Sequence, residues 1–237
     1  MKHIKLIILT TIVILISPIF QVYALSLTGS NGLLYIPTAQ MQNDRHVKIG
    51  MTWLNKESFA YGEGKYNGLA SFATIGYLPF MEISLRLTRK LDFPEIQALG
   101  DRMIIIRIRP IKEGRVYPAV VFGAHDFIWS VPESPTNEFN ALYAVASKTL
   151  VLESVINKMG LHLGYGSDLI KAKHREFVGL FGGVDLYFTP NIALMMEHDS
   201  SRFNWGAKLS LFNKLEVVAA LLDFSVFSAG MNFRFSI

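Results

Sequence analysis

Read from residue 45 onward, the chain alternates apolar and polar side chains with a period of two, the pattern of strands that present one apolar face. Val47, Ile49, Met51 and Trp53 share one face, opposite His46, Lys48, Gly50 and Thr52. Met81, Ile83, Leu85 and Leu87 oppose Glu82, Ser84, Arg86 and Thr88. Phe203, Trp205, Ala207, Leu209 and Leu211 oppose Asn204, Gly206, Lys208 and Ser210, and Met159, Leu161, Leu163 and Tyr165 oppose Gly160, His162 and Gly164. The pattern predicts twelve strands, near 45–54, 69–78, 81–89, 102–110, 116–125, 140–149, 157–166, 177–188, 191–199, 202–212, 214–222 and 226–237. Two are weaker: Met103 to Ile106 is apolar on both faces, and Leu69 to Tyr77 alternates loosely.

The connections between these strands alternate in length. One set is long: 55–68, 90–101, 126–139 and 167–176, with 200–201 and 223–225 shorter. The other set is short: Pro79-Phe80, 111–115, 150–156, Thr189-Pro190 and Asn213. An even strand number with short turns at one end and longer loops at the other is the organisation of outer-membrane barrels. Aromatic residues near strand ends predict interfacial girdles: Trp53, Phe127, Tyr165 and Phe203 toward one rim, and Tyr77, Phe80, Phe188, Phe212 and Phe235 toward the other. The last strand places Ala229, Met231, Phe233, Phe235 and Ile237 on one face, much like a barrel assembly signal, although a terminal aromatic is usual there.

Composition sharpens this picture. Charged residues make up 18% of the chain, against about 25% in ordinary soluble proteins, and hydrophobic residues 51%. After residue 24 there is no apolar run long enough for a membrane-spanning helix. In a soluble sandwich or lipocalin-like barrel, which also alternates, the polar face needs many charges; here it is rich in Gly, Ser, Ala and Thr.

Residues 1–24 read as a secretory signal, with Lys2 and Lys5 at the basic start, an apolar stretch from Leu6 to Phe20, and Val22-Tyr23-Ala24 as the cleavage site. The formal charge of +4 drops by two when Lys2 and Lys5 leave, so the basic balance implies no nucleic-acid partner. The chain has no cysteine, hence neither disulfides nor a lipoprotein anchor. The expected organisation is a signal at 1–24, a periplasmic or plug segment at 25–44, and an all-β antiparallel outer-membrane barrel at 45–237.

The segment Gly29-Ser30-Asn31-Gly32-Leu33-Leu34-Tyr35-Ile36-Pro37-Thr38-Ala39 is too short and irregular for a barrel strand. It resembles the opening segment of the YjbH family of outer-membrane proteins. The resemblance continues in order through Gly100-Asp101-Arg102-Met103 with Arg107 and Arg109, Tyr117-Pro118-Ala119 with Gly123 and Asp126-Phe127, and Ala146-Ser147-Lys148. It ends with Phe181-Gly182-Gly183-Val184 and Glu197-His198-Asp199, with Asn204 and Gly206 behind. Such membership implies an outer-membrane barrel in a diderm bacterium, reached by Sec-type export and linked to exopolysaccharide production or export or to envelope assembly. It would act as a narrow conduit or a scaffold, with outer-membrane lipids, anionic polysaccharide and periplasmic export proteins as partners.

If the apolar faces meet lipid, the opposite faces line an interior. That interior is expected to hold Lys48, Arg86, Arg107, Arg109, Lys148, Lys208 and Arg234 against Glu82, Asp185, Glu197 and Glu216, with His162 near the middle. These charges either pair across the barrel, since unpaired buried charge is costly, or their cationic excess attracts an acidic passenger.

The rival chemistry is acyl transfer. His198 and Ser200 share a strand face, with Asn204 beyond the turn, and this is similar to the His-x-Ser pair plus Asn of twelve-stranded outer-membrane phospholipases. No zinc spacing, phosphate loop or nucleophile elbow is present, so neither metal nor cofactor is expected and the chain reads as a non-enzyme. The other alternative is a soluble secreted β-rich protein. Gly182-Gly183 reads as a place of sheet curvature or close packing. Asn31 and Thr38 lie in the segment that either plugs the lumen or meets a partner.

Overall fold

Each strand leaves half of its backbone hydrogen bonds to each neighbour, and in a bilayer those demands are met only if the sheet closes on itself. The computed structural model describes residues 25–57, 60–61, 64–91, 99–126, 140–152, 154–169 and 177–237. The predicted signal at 1–24 and the girdle residue Phe127 lie outside them.

The strands are β1 (His46–Leu54), β2 (Ala60–Tyr61), β3 (Gly64–Lys65), β4 (Gly68–Leu78), β5 (Met81–Lys90), β6 (Leu99–Ile111), β7 (Ala119–His125), β8 (Ala141–Val151), β9 (Lys158–Ser167), β10 (Gly179–Thr189), β11 (Ile192–His198), β12 (Phe203–Leu211), β13 (Leu215–Leu222) and β14 (Val226–Ser236). β2 and β3 form a small separate hairpin within the first long connection. The other twelve close a barrel in which every strand pairs with its barrel neighbours in sequence, and β1 meets β14 with Met51 opposite Met231. All these pairings are antiparallel.

Twelve strands were expected and twelve form the barrel. The largest boundary differences are at the starts of β7 and β6. β7 starts at Ala119 rather than 116 because Gly114 N–H reaches Tyr117 O at 3.1 Å in a turn and Pro118 has no N–H to give a ladder. β6 begins early, at Leu99, by pairing with Arg89 across a bulge.

The barrel has a terminal end, where Ile237 N–H donates to Arg45 O at 2.9 Å, and a loop end that carries the long connections. Its wall alternates strictly. On β9, His162 is 5% exposed while Leu163 beside it is 62% exposed. The outward face is a band of such exposed apolar residues, including Ile49, Leu85, Ile108, Phe122, Leu180, Leu194, Trp205 and Met231. Tyr77, Phe80 and Phe212 are exposed at the terminal end, and Tyr165 and Phe203 at the loop end. A soluble barrel buries its apolar face, so this inverted arrangement is of the outer-membrane type.

The interior is solid. Residues 25–42 are buried except for half-buried Gln40, and they lie inside the barrel. Their fold is local: Leu25 bridges Asn31 and Gly32 bridges Pro37, with Ser26 N–H on Ser30 O and Leu27 N–H on Leu34 O, each at 2.7 Å. Gly29 takes φ +89°, and a Cβ there would press on the Phe72 ring. Leu27, Leu33, Leu34 and Ile36 pack against Met103, Ile105, Val121, Met195, Val218 and Leu222 of the wall. At the loop end the lumen is filled by aromatic rings: Tyr35 against Phe177 at 5.3 Å between centroids, Phe177 against Phe181 at 5.6 Å, and His125 edge-on to Tyr143 at 5.3 Å.

Candidate functional site: the lumen and its plug

The inward face of β5 carries Glu82 because its polar phase points away from lipid, and cross-strand pairing with β6 puts Arg107 opposite it. Arg107 Nη1 donates to Glu82 Oε1 at 2.7 Å, and both side chains are fully buried. Glu82 also accepts the side-chain amide of Asn31 and, at 2.7 Å, the N–H of Gln42. Arg107 Nη2 donates to the carbonyls of Thr38 and, at 3.2 Å, Gln40.

A second carboxylate repeats this on the opposite side of the plug. Glu197 on β11 accepts Leu34 N–H at 2.9 Å, Tyr35 N–H at 2.8 Å and Ile36 N–H at 3.3 Å. Asn204, its cross-strand partner, donates to it at 3.0 Å. Lys208 Nζ donates to Gly32 O at 2.5 Å, Thr74 Oγ1 to Gly29 O at 2.7 Å, and Ala39 N–H to Ser147 Oγ at 2.7 Å. The plug itself, residues 25–42, contains no charged residue. The wall supplies charge; the plug supplies neutral peptide donors and acceptors.

The expected lumen cations divide by position. Lys48, Arg86, Arg107 and Lys208 are inward and buried. Lys48 Nζ sits 3.1 Å from Glu216 Oε2. Arg109 and Arg234 lie at the terminal rim and donate to turn carbonyls, Pro79 O at 2.9 Å and Asn213 O at 2.8 Å. Lys148 does not line the lumen. It shares the outward phase of Leu142, Ala144 and Ala146, while Ser147 and Val145 point inward. Its ammonium binds Gly114 O at 2.6 Å and Glu113 at 3.3 Å over the turn after β6.

The expected anions Glu82, Asp185, Glu197 and Glu216 are all inward and buried. Besides Asp126, buried just past the end of β7, two charged residues escaped the sequence reading. Lys158 has the inward phase of His162 and lies 4.0 Å over the Tyr187 ring, and Asp199 continues the phase of Glu197 and accepts from Asn204 at 3.1 Å. Extending each strand's alternation to its last residue exposes both.

His162 links Ser147 to Asp185, with Nδ1 2.8 Å from Ser147 Oγ and Nε2 3.6 Å from Asp185 Oδ1. Because Ser147 Oγ also accepts Ala39 N–H, this chain of groups ends on the plug.

The His198, Ser200 and Asn204 set is not assembled. His198 is outward with its ring 4.6 Å from that of Phe203, whereas Asn204 is inward and fully buried between Glu197 and Asp199. Ser200 lies in the intervening turn at φ +79°. Among the described residues, no three His, Cys, Asp or Glu side chains are grouped to hold a metal ion.

Comparison with known proteins gives one family. The model of the YjbH family, described as exopolysaccharide biosynthesis protein YbjH, matches residues 24–191. No curated protein matches the chain. Among solved structures, the N-terminal β-barrel domain of Pseudomonas aeruginosa OprF is similar at 12% identity, covering 82% of this chain and 100% of that one, with a TM-score of 0.27.

Proposed function

The chain belongs to the YjbH family of exopolysaccharide biosynthesis proteins, and on that footing we propose that it is a gated outer-membrane conduit, closed at rest by residues 25–42. In this reading residues 1–24 direct Sec-type export and are removed. The barrel then inserts with its terminal end toward the periplasm and its export partners. It carries out no covalent chemistry.

The observation that carries the reading is the plug's attachment. It is joined to the wall through hydrogen bonds to Glu82, Glu197, Arg107 and Lys208, and to β1 through residues 43–45 at the terminal end. The plug carries no charge, and the wall ions Glu82 and Arg107 that hold it are also paired with each other, as are Lys48 and Glu216. Its departure therefore leaves these charges compensated, which favours a gate over a fixed filling, and hence a conduit over a scaffold.

The test is a lock. The chain has no cysteine, so Ala39→Cys with Ser147→Cys introduces a single possible bridge between plug and wall at positions already in hydrogen-bond contact. In cells lacking the native copy, exopolysaccharide output should fall when the pair is oxidised and recover on reduction. Full output from the bridged protein would replace the conduit with a scaffold.

A further inference from the structure

We infer that the chain admitted to this lumen is an uncharged, amide-bearing glycan, and not an acidic one; the inference rests on the gated-conduit reading above. An empty cationic lumen would select an acidic passenger, but the wall pairs its own cations. Lys48 faces Glu216 and Arg107 faces Glu82, pairs that remain when the plug leaves, while Lys208 gives up Gly32 O of the plug. An acidic polymer entering between them would also meet Glu197, Glu82 and Asp185, all fully inward and buried. Like charges brought together in a low-dielectric space repel strongly.

The plug shows what these wall groups recognise. The Glu197 carboxylate takes three successive amide N–H groups, and Glu82 takes the Gln42 N–H and the Asn31 amide. Arg107 and Lys208 take amide carbonyls. The division of labour is the same at both places: amide N–H groups go to the carboxylates Glu82 and Glu197, and amide C=O groups to the cations Arg107 and Lys208. An N-acetylated sugar offers both groups on each residue without a net charge, so it can meet the same carboxylates and cations that the plug amides meet. A carboxylated sugar brings hydroxyl donors as well, but also a fixed negative charge on every residue, which Glu82 and Glu197 repel in a low-dielectric lumen.

The experiment uses the full chain in planar bilayers with the plug loosened from its own side, so that the wall is untouched. Gly32→Val places a branched side chain against the Ile36 carbonyl, and Asn31→Ala, which removes the donation to Glu82, is the milder second variant. Folding of each is checked by its gel mobility shift on heating. The probes are chitotetraose (neutral, N-acetylated), maltotetraose (neutral, no amide), tetragalacturonate (acidic) and N-acetyl-tetraalanine amide. Chitotetraose is expected to block the current at about tenfold lower concentration than maltotetraose or tetragalacturonate, the factor that one charge-assisted hydrogen bond supplies. Adding Glu197→Gln should erase that preference. Equal block by all probes, or preferred block by tetragalacturonate, overturns the inference while leaving the gate intact. Preferred block by the peptide overturns the assignment to a glycan. Folded variants of both kinds that never conduct overturn the gate and this inference together.

Discussion

The carboxylate of Glu197 on β11 accepts the backbone N–H of Tyr35 at 2.8 Å, joining positions 162 residues apart in sequence. The same carboxylate holds the N–H groups of Leu34 and Ile36, so one side chain satisfies a whole turn of the plug. Glu197→Ala strands those donors in a buried place, at about 1–3 kcal/mol for each group left unsatisfied. The amides of residues 34–36 should then exchange with solvent faster than those of β11 itself, as read by hydrogen–deuterium exchange in detergent. Glu197→Gln retains one acceptor oxygen and should show a smaller effect. Unchanged exchange at residues 34–36 in the alanine variant would mean that packing alone seats the plug.

The Glu82–Arg107 pair makes a different prediction, because each partner also binds the plug. Removing one member of a buried pair leaves an uncompensated charge and costs about 3–5 kcal/mol. Arg107→Met and Glu82→Gln should therefore each destabilise the folded barrel strongly, and the double variant by clearly less than their sum. Urea-dependent unfolding from detergent micelles measures the cycle. Additive effects would show that the two residues act on the plug independently.

What the sequence makes legible follows from period. The barrel strands are readable because lipid on one side and a polar interior on the other impose alternation, as on β1, β5 and β12. The phase of β8 is less so. Tyr143 and Val145 point inward while Leu142, Ala144 and Ala146 point outward, so both faces are apolar and Lys148 is easily assigned to the wrong one. Residues 25–42 have no period at all. Their place inside the barrel depends on partners such as Glu82, Ser147 and Glu197, 40 to 163 residues away. The set of buried carboxylates and cations is legible as a lumen lining, but its peptide-shaped complement emerges only when both are folded together.

Inward glycines on the wall make room for aromatic rings, and this can be tested at one site. A Cβ on Gly164 of β9 would collide with the Phe181 ring and come within 2.8 Å of Ala144 O. Gly164→Ala should cost about 1–3 kcal/mol through overpacking and lower the temperature at which the barrel loses its fast-migrating form in SDS. Gly68 is the control, since a Cβ there meets Thr88 Cγ2 at an ordinary 3.5 Å. If Gly68→Ala and Gly164→Ala melt alike, the ring contact has no special weight.

The assignment of the outer face to lipid has a depth-dependent consequence. Leu163 lies at the middle of β9, is 62% exposed and points outward; Met159, half-buried on the same outward phase, lies at the terminal end of β9 beside the short turn at 152–157. In water, an outward leucine or methionine is replaced by arginine at little cost. In a bilayer an arginine at the midplane costs about 2–4 kcal/mol, falling to about 0–1 near the interface. Leu163→Arg should therefore reduce the free energy of folding into lipid vesicles by far more than Met159→Arg, while the two behave alike in mild detergent, where there is no fixed depth. Equal, small effects in vesicles would remove the bilayer from the β8–β9 face. A large effect confined to Leu163→Arg places Leu163 near the bilayer midplane and the short turn between β8 and β9 at an interface.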